Sequence, residues 1–482
     1  MNVLKDAKPE KVFQYFELLS SVPHGSGNTK AISDLCTDFA EKKGLRYYRD
    51  SLNNVVIYKD AGEGYEHCAP VILQGHLDMV IATDESCTID PERDGLELCT
   101  DGEWVWAKGT SLGADNAVAV AVIMAILDDD SLRCPPIEAV LTVDEETGMD
   151  GARGLDMSVL SGKRLINLDS EEEGIFCAGC AGGARVNCTL DCEREALFGY
   201  SYYKVTVSGL VGGHSGVEID KCRASSNRLM GRMLSDIAGD MDLRLVSLEG
   251  GRLDNVIPRE TDAVVAVPVG EEMAFLEKIE GYDAVFKKEF ATADPDIFVK
   301  AELTKGDRAL RRDDTKKLLT VLYILPYHVQ EMSADVKGLV QTSLNLGVLK
   351  LYESTLKFSF AVRSSVQSQK EELVRRVRTV VEFAGGRVEC HGDYPGWQYA
   401  PVSPLRDTVL RAYKKLSGKD GEVMAIHAGL ECGLFAERIE GLDCISLGPD
   451  LRDVHSVRER LNIPSTERMY KLVCEILKNI KD

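Results

Sequence analysis

The chain has 482 residues, 44% hydrophobic and 28% charged, which suits about two to four packed domains and excludes a disordered, collagen-like or low-complexity protein. With 57 basic and 78 acidic residues its formal net charge is −21, so phosphate backbones and anionic lipid surfaces repel it; neither nucleic acid nor a membrane is an expected partner. The 14 cysteines are too sparse for a disulfide scaffold and the charged start MNVLKDAKPEK offers no apolar export signal, so the expectation is a cytoplasmic protein with reduced thiols.

In chain order, Val12, Phe13, Phe16 and Leu19 share one face of a first helix. After the loop SVPHGSGN, a second helix turns Ile32, Leu35, Phe39 and Ala40 inward, with Gly44 as its C-terminal stop. NNVVIYK reads as a strand. PVILQGHLDMV reads as a near-continuous apolar strand, typical of a sheet covered on both faces. NAVAVAVIMAIL is a buried helix, and its apolar run over residues 117–127 is about half of what a bilayer-spanning helix needs. PIEAVLTVDEE and KRLINLDS are two more strands, each ending in acid. This alternation predicts a doubly wound α/β sheet.

After CAGCAGGARV the texture changes. YSYYKVTVSGLVGGHSG alternates as a half-exposed antiparallel strand does, and a helix follows over residues 225–237. DAVVAVPV and LKFSFAVRSS are strands, and QKEELVRRVRTVVEFAGG is a helix. The α/β texture returns near Leu405 with the helix TVLRAYKKLSG and the strand GLDCISLGPD. The expected organisation is an α/β catalytic domain, residues 1–186 and 396–482, interrupted by an inserted α+β lid, residues 187–395, that binds substrate or mediates dimerisation; a homodimer is compatible with it.

Chemistry gathers at strand ends. His76 and Asp78 are two apart on one strand and point the same way, about 6.6 Å apart along it. His76 is suited to ligate a metal and Asp78 to orient it. Asp115, in a glycine-rich turn before a helix, is a short carboxylate able to bridge two cations. Glu145 and Glu146 are adjacent and must point in different directions, so one can bind metal while the other holds a water. Asp169 and His455 complete two similar ligand sets. Two Zn²⁺ ions carry about +4, balanced by three carboxylates (Asp115, Glu146, Asp169) and a bridging hydroxide, which suits a buried site. Co²⁺ or Mn²⁺ is an acceptable substitute for such ligands. The cysteines Cys177, Cys180, Cys188 and Cys192 are spaced too closely for a zinc ribbon and are expected to be packed residues.

The blocks GHLDMV, GTSLGADNAVAVA, DEETGMDGA, NLDSEEEG and DVHSVRERL resemble those of the di-zinc aminopeptidase-like exopeptidases. CAGCAGGARV, VSGLVGGHSG and HAGLECG bring the resemblance closest to the aminoacyl-histidine (Xaa-His, PepD-type, carnosine-cleaving) dipeptidases, over nearly the whole chain. The resemblance implies a zinc-exopeptidase-like fold and a small peptide as substrate. It implies that Asp115 bridges the ions, His76 and Asp169 complete one site, and Glu146 and His455 the other. It makes Glu145 the general base and has Asp78 tune His76. It also suggests His214 as a lid donor to the oxyanion, Arg363 as a clamp on the free carboxylate and Asn255 as a substrate contact. His427 would line the pocket, and Glu431 would meet the substrate ammonium. His24, His67, His328 and His391 carry no functional expectation. Other readings stay open: a tripeptidase or N-acyl-amino-acid amidohydrolase on the same core, a non-catalytic binding protein on the same fold, and a thiol redox protein acting through Cys177 and Cys180.

Overall fold

In the computed structural model, which describes residues 3–481, the chain forms two compact units. One takes in the chain up to Cys180, Trp397–Ala425 and the chain from Leu430 onward; the other is Ala181–Gly396 with Ile426–Gly429.

The first unit is built on an eight-stranded sheet. Four parallel neighbours, Ile137–Thr142, Val71–His76, Arg164–Asn167 and Asp443–Ser446, form its middle. Every residue of Val71–His76 and Ile137–Thr142 is buried, which explains why both sequences are mostly apolar with no polar alternation: a sheet covered on both faces has no wet side. Val55–Lys59 and Arg46–Arg49 extend it antiparallel on one side; Ile175–Cys180 and Glu422–Ile426 complete the other. The helix Ala114–Leu127 is apolar on all sides and packs between the helix Glu10–Ser20 and the strand Val71–His76. Such a helix has no face to offer water.

Local signals set the helix ends. Gly44 closes Lys30–Lys43 in the left-handed conformation, φ 66°. Ser403 caps Pro404–Ser417 and Asn462 caps Ile463–Asn479, each ahead of a proline in the first turn. A four-stranded sheet with no expected counterpart joins Leu451–Arg452, Arg460–Asn462, Trp104–Ala107 and Leu98–Thr100. Its strands are two to four residues long, too short to show a period.

The second unit is α+β. Its nine-stranded sheet runs Phe298–Thr304, Tyr200–Ser208, Thr261–Pro268, Arg244–Gly250, Val340–Leu351, Thr355–Ser364, Gly182–Asp191 and Arg387–Tyr394, with His328–Met332 beside Val340–Leu351. Ser226–Asp240, Glu272–Glu289, Arg312–Ile324 and Gln367–Phe383 supply helices to its core. The expected half-exposed strand is Tyr200–Ser208, which is interior to the sheet with neighbours on both sides; Val205, Thr206 and Val207 are all buried. The chain then turns at Gly209, and Gly213–His214 pairs with Val256–Ile257 instead.

Cys177 and Cys180 lie buried in the first unit, Cys188 and Cys192 buried in the second. Among the described residues no helix is long and apolar enough to cross a membrane.

Candidate metal centre

Three parallel strands of the first unit end on one sheet edge. Their register sets His76 beside Thr142 and Gln74 beside Asn167. His76, the acid pair just past Thr142 and Asp169 just past Asn167 therefore emerge together, where open α/β sheets bind ligands. Asp115 arrives from the turn that opens the buried helix. His455 arrives from the loop between Leu451–Arg452 and Arg460–Asn462, the latter paired to Trp104–Ala107.

Asp115 lies between the two imidazoles. Its Oδ1 is 3.1 Å from His76 Nε2, and its Oδ2 is 3.2 Å from His455 Nε2. Asp169 Oδ1 stands 3.4 Å from His76 Nε2, and Glu146 Oε1 stands 2.9 Å from His455 Nε2. The ligand atoms of His76, Asp115 and Glu146 all fall within 4.8 Å of one another. Two donors held by one zinc ion at about 2.1 Å and a tetrahedral angle lie about 3.4 Å apart. The spacing of His76, Asp115 and Glu146 is thus compatible with a bound divalent cation. Imidazole and carboxylate donors suit Zn²⁺, and also Mn²⁺ and Co²⁺.

The charges conflict without cations. Burial alone would lower the His76 imidazole, but the Asp169, Asp115 and Asp78 carboxylates outweigh it and hold it well above its ordinary value. Hydrogen bonds to Asp115 and Glu146 raise His455 to about 11. Burial, then the neighbouring Asp115 and Glu146, push Asp169 up to about 7 against the pull of His76. Burial pushes Glu145 well above the carboxylate range, reinforced by Asp169, Glu431 and Glu146. Cations answer this crowding of anions directly.

The model for peptidase family M20/M25/M40 matches residues 72–479. The chain belongs to this family. It is 36% identical over 482 residues to the cytosol non-specific dipeptidase of Escherichia coli (strain K12), covering 100% of this chain and 99% of that one. It is similar to the crystal structure of aminoacylhistidine dipeptidase from Vibrio alginolyticus, at 36% identity and TM-score 0.95, covering 99% of this chain and 98% of that one. Aminopeptidase PepT from Bacillus cereus shares the fold at 16% identity and TM-score 0.57, over 98% of this chain and 99% of that one.

Around the centre of this M20/M25/M40 chain lies a layer of residues that spacing alone did not reveal. His76 Nδ1 meets the Asp78 backbone carbonyl at 3.0 Å and the Asp78 carboxylate only at 3.5 Å. That carboxylate instead accepts from Ser26 Oγ at 2.8 Å and from the amides of Glu145 and Glu146 at 3.0 and 3.3 Å, and so shapes the acid pair. Asn116 accepts from the His76 amide at 3.1 Å and donates to the Leu168 carbonyl at 3.0 Å, joining two ligand-bearing strand ends. Glu459 accepts from the amides of Leu112, Gly113 and Asp115. Among these partners only Asp78 was expected; Ser26, Asn116 and Glu459 were not singled out by the sequence. Glu431, expected to meet a substrate ammonium, is fully buried; its Oε2 accepts from Gln74 Nε2 at 2.5 Å and Thr142 Oγ1 at 2.6 Å. Burial pushes its carboxyl up to about 8.

The second unit gathers the other expected residues. The pair Gly213–His214 and Val256–Ile257 puts His214 opposite Val256, next to Asn255, whose carbonyl accepts from the Ser215 amide at 2.8 Å. His214 Nδ1 accepts from the amides of Gly216 and Val217 at 3.2 and 3.3 Å. An imidazole accepting at Nδ1 carries its proton on Nε2. Burial and then the Arg363 charge lower His214, so it stays neutral. Arg363 lies on Thr355–Ser364, with Nη1 donating to Tyr394 Oη at 3.2 Å and a buried Nε that has no hydrogen-bond partner among the described residues. His427 is buried, meets Ser343 Oγ through Nε2 at 2.7 Å, and is lowered to about 3 by burial and by Arg363.

Proposed function

We propose that this member of peptidase family M20/M25/M40 hydrolyses dipeptides, with a preference for those with C-terminal histidine, at a centre holding two zinc ions. The observation that carries the reading is the shared aspartate: each oxygen of Asp115 faces its own histidine, 3.1 Å from His76 and 3.2 Å from His455. His76 and Asp169 would complete one ion's ligands, and Glu146 and His455 the other's. When bound, the cations lower the pKa of water and polarise a peptide carbonyl.

The residues of the chain do the rest. Glu146 faces His455, which leaves Glu145 to act as base. Burial and neighbouring carboxylates raise its proton affinity. It takes a proton from the attacking water and hands it to the leaving amine. Asp78 fixes the backbone from which both acids project. His214, neutral with its proton on Nε2, is a ready donor to the developing oxyanion. Arg363 has unspent donors for the free carboxylate of a dipeptide, which guanidinium binds bidentately. Asn255 and His427 would contact the substrate beside them. A cytoplasmic setting is in keeping with the name of the Escherichia coli relative, cytosol non-specific dipeptidase.

A second reading is broad dipeptide specificity, favoured by the word non-specific in that relative's name. A panel of Xaa-His dipeptides, other dipeptides, tripeptides and N-acetylated amino acids separates the readings. Activity should fall on chelation and return with zinc. Glu145→Gln should keep its ions and lose most turnover. Full activity in a verified metal-free sample, or in Glu145→Gln, would overturn the mechanism.

A further inference from the structure

We propose that Glu459 is a positioning residue of the metal centre: its carboxylate clamps the turn before Asp115 and holds that shared ligand between His76 and His455. The inference rests on the two-ion reading above and adds to it a residue that ligates nothing.

In sequence Glu459 sits between Arg458 and Arg460, four residues after His455. In the structure it is 3% exposed. Its Oε2 accepts from the Leu112 amide at 2.8 Å and the Gly113 amide at 2.9 Å; its Oε1 accepts from the Asp115 amide at 3.2 Å. All three partners are backbone donors and none can accept, so both carboxylate oxygens serve here as acceptors. The Gly113 and Asp115 amides lie at the start of the helix Ala114–Leu127, where no intrahelical acceptor exists for them, and the Leu112 amide lies just before it. Glu459 supplies that acceptor from 344 residues away.

The turn needs an external hold. Gly113 sits at φ +67°, where a side chain is strained, and a Cβ there would lie 2.5 Å from Met79 Sδ. Asp115 and Asn116 depart from helical dihedrals although a helix follows. Main-chain hydrogen bonds to Glu459 are what define the direction in which the Asp115 carboxylate leaves the backbone. The same loop carries His455 four residues earlier, so one short segment delivers a ligand and fixes the ligand it must face, at 3.2 Å.

Partners one layer behind metal ligands typically change metal affinity by about 10–100-fold when removed. The test is calorimetric zinc titration of the full chain after chelation, for wild type, Glu459→Gln and Glu459→Asp. Glutamine turns an NH₂ group toward backbone donors, so at least one binding step should weaken about 10–100-fold. Glu459→Asp, charged but one methylene short, should fall between. Turnover of Glu459→Gln should rise toward wild type as zinc is added, whereas a merely structural lesion would lower the unfolding temperature of the metal-free protein and resist rescue. Two ions bound by Glu459→Gln with wild-type affinity would overturn the role of Glu459 and leave the metal reading intact. A wild-type protein that takes up no zinc would remove the metal reading itself. Should Glu459→Gln not fold, Glu459→Asp decides: weakened binding supports the clamp and unchanged binding overturns it.

Discussion

Replacing Asn116 with alanine tests whether one buried amide holds two ligand-bearing strand ends together. Asn116 is 2% exposed, and its side chain serves the His76 amide at 3.1 Å and the Leu168 carbonyl at 3.0 Å. Alanine leaves both main-chain groups buried without partners, at about 1–3 kcal/mol each. A water entering the vacated space would restore part of this, so the net loss is about 3 kcal/mol. For a unit of this size 1 kcal/mol moves Tm by about 2–4 °C, which gives a fall of about 6–12 °C. Calorimetry on metal-free protein isolates this effect from ligand binding. The neighbouring ligands, His76 and Asp169, should lose their alignment as well, weakening zinc by about tenfold. A fall under about 2 °C together with unchanged zinc affinity would refute the reasoning, because the sheet's own ladder would then suffice to place both strand ends.

Two further outcomes are expected away from that amide. Burial would raise the Asp128 carboxyl, but hydrogen bonds from Lys11, Lys43 and Tyr15 outweigh it and hold it at about 2. Its folded value lies below the unfolded 3.8, so its stabilisation is present above about pH 4 and is lost as pH falls toward 2. Asp128→Asn should cost about 1 kcal/mol at pH 7, allowing for the half-exposed lysines, and the gap in urea unfolding should narrow as pH falls from about 4 toward 2; a gap independent of pH contradicts the assignment. Arg363→Ala should raise KM for dipeptides about 30-fold, the equivalent of about 2 kcal/mol for a charged hydrogen-bonded contact, with kcat little changed. Steady-state kinetics decide it, and an unaltered KM removes Arg363 from carboxylate recognition.

The residues of the centre were legible where chemistry coincides with strand ends. Apolar runs that stop at acid or histidine, as in VILQGH and RLIN followed by Asp169, mark both the strand and the edge where its functional group emerges. The acid pair at Glu145 and Glu146 follows the same rule. Glu431 follows no such rule: no local pattern in HAGLECG marks its hydrogen bonds from Gln74 and Thr142, which only the packing reveals. Asp78 was legible as a partner of His76, but the target of its carboxylate, the backbone of the acid pair, was not.

Residue order, hydrophobic period and turn chemistry by themselves determined that apolar strands would be buried on both faces, that Gly44 would end a helix, and which side chains could bind a cation. These follow from dihedral preferences and side-chain periodicity, which act over a few residues. Tertiary structure alone decided which oxygen of Asp115 meets which imidazole, and that Glu459 reaches back across 344 residues to grip the turn before it. Hydrogen bonds between groups so distant in sequence depend on three-dimensional register, and no local pattern encodes that.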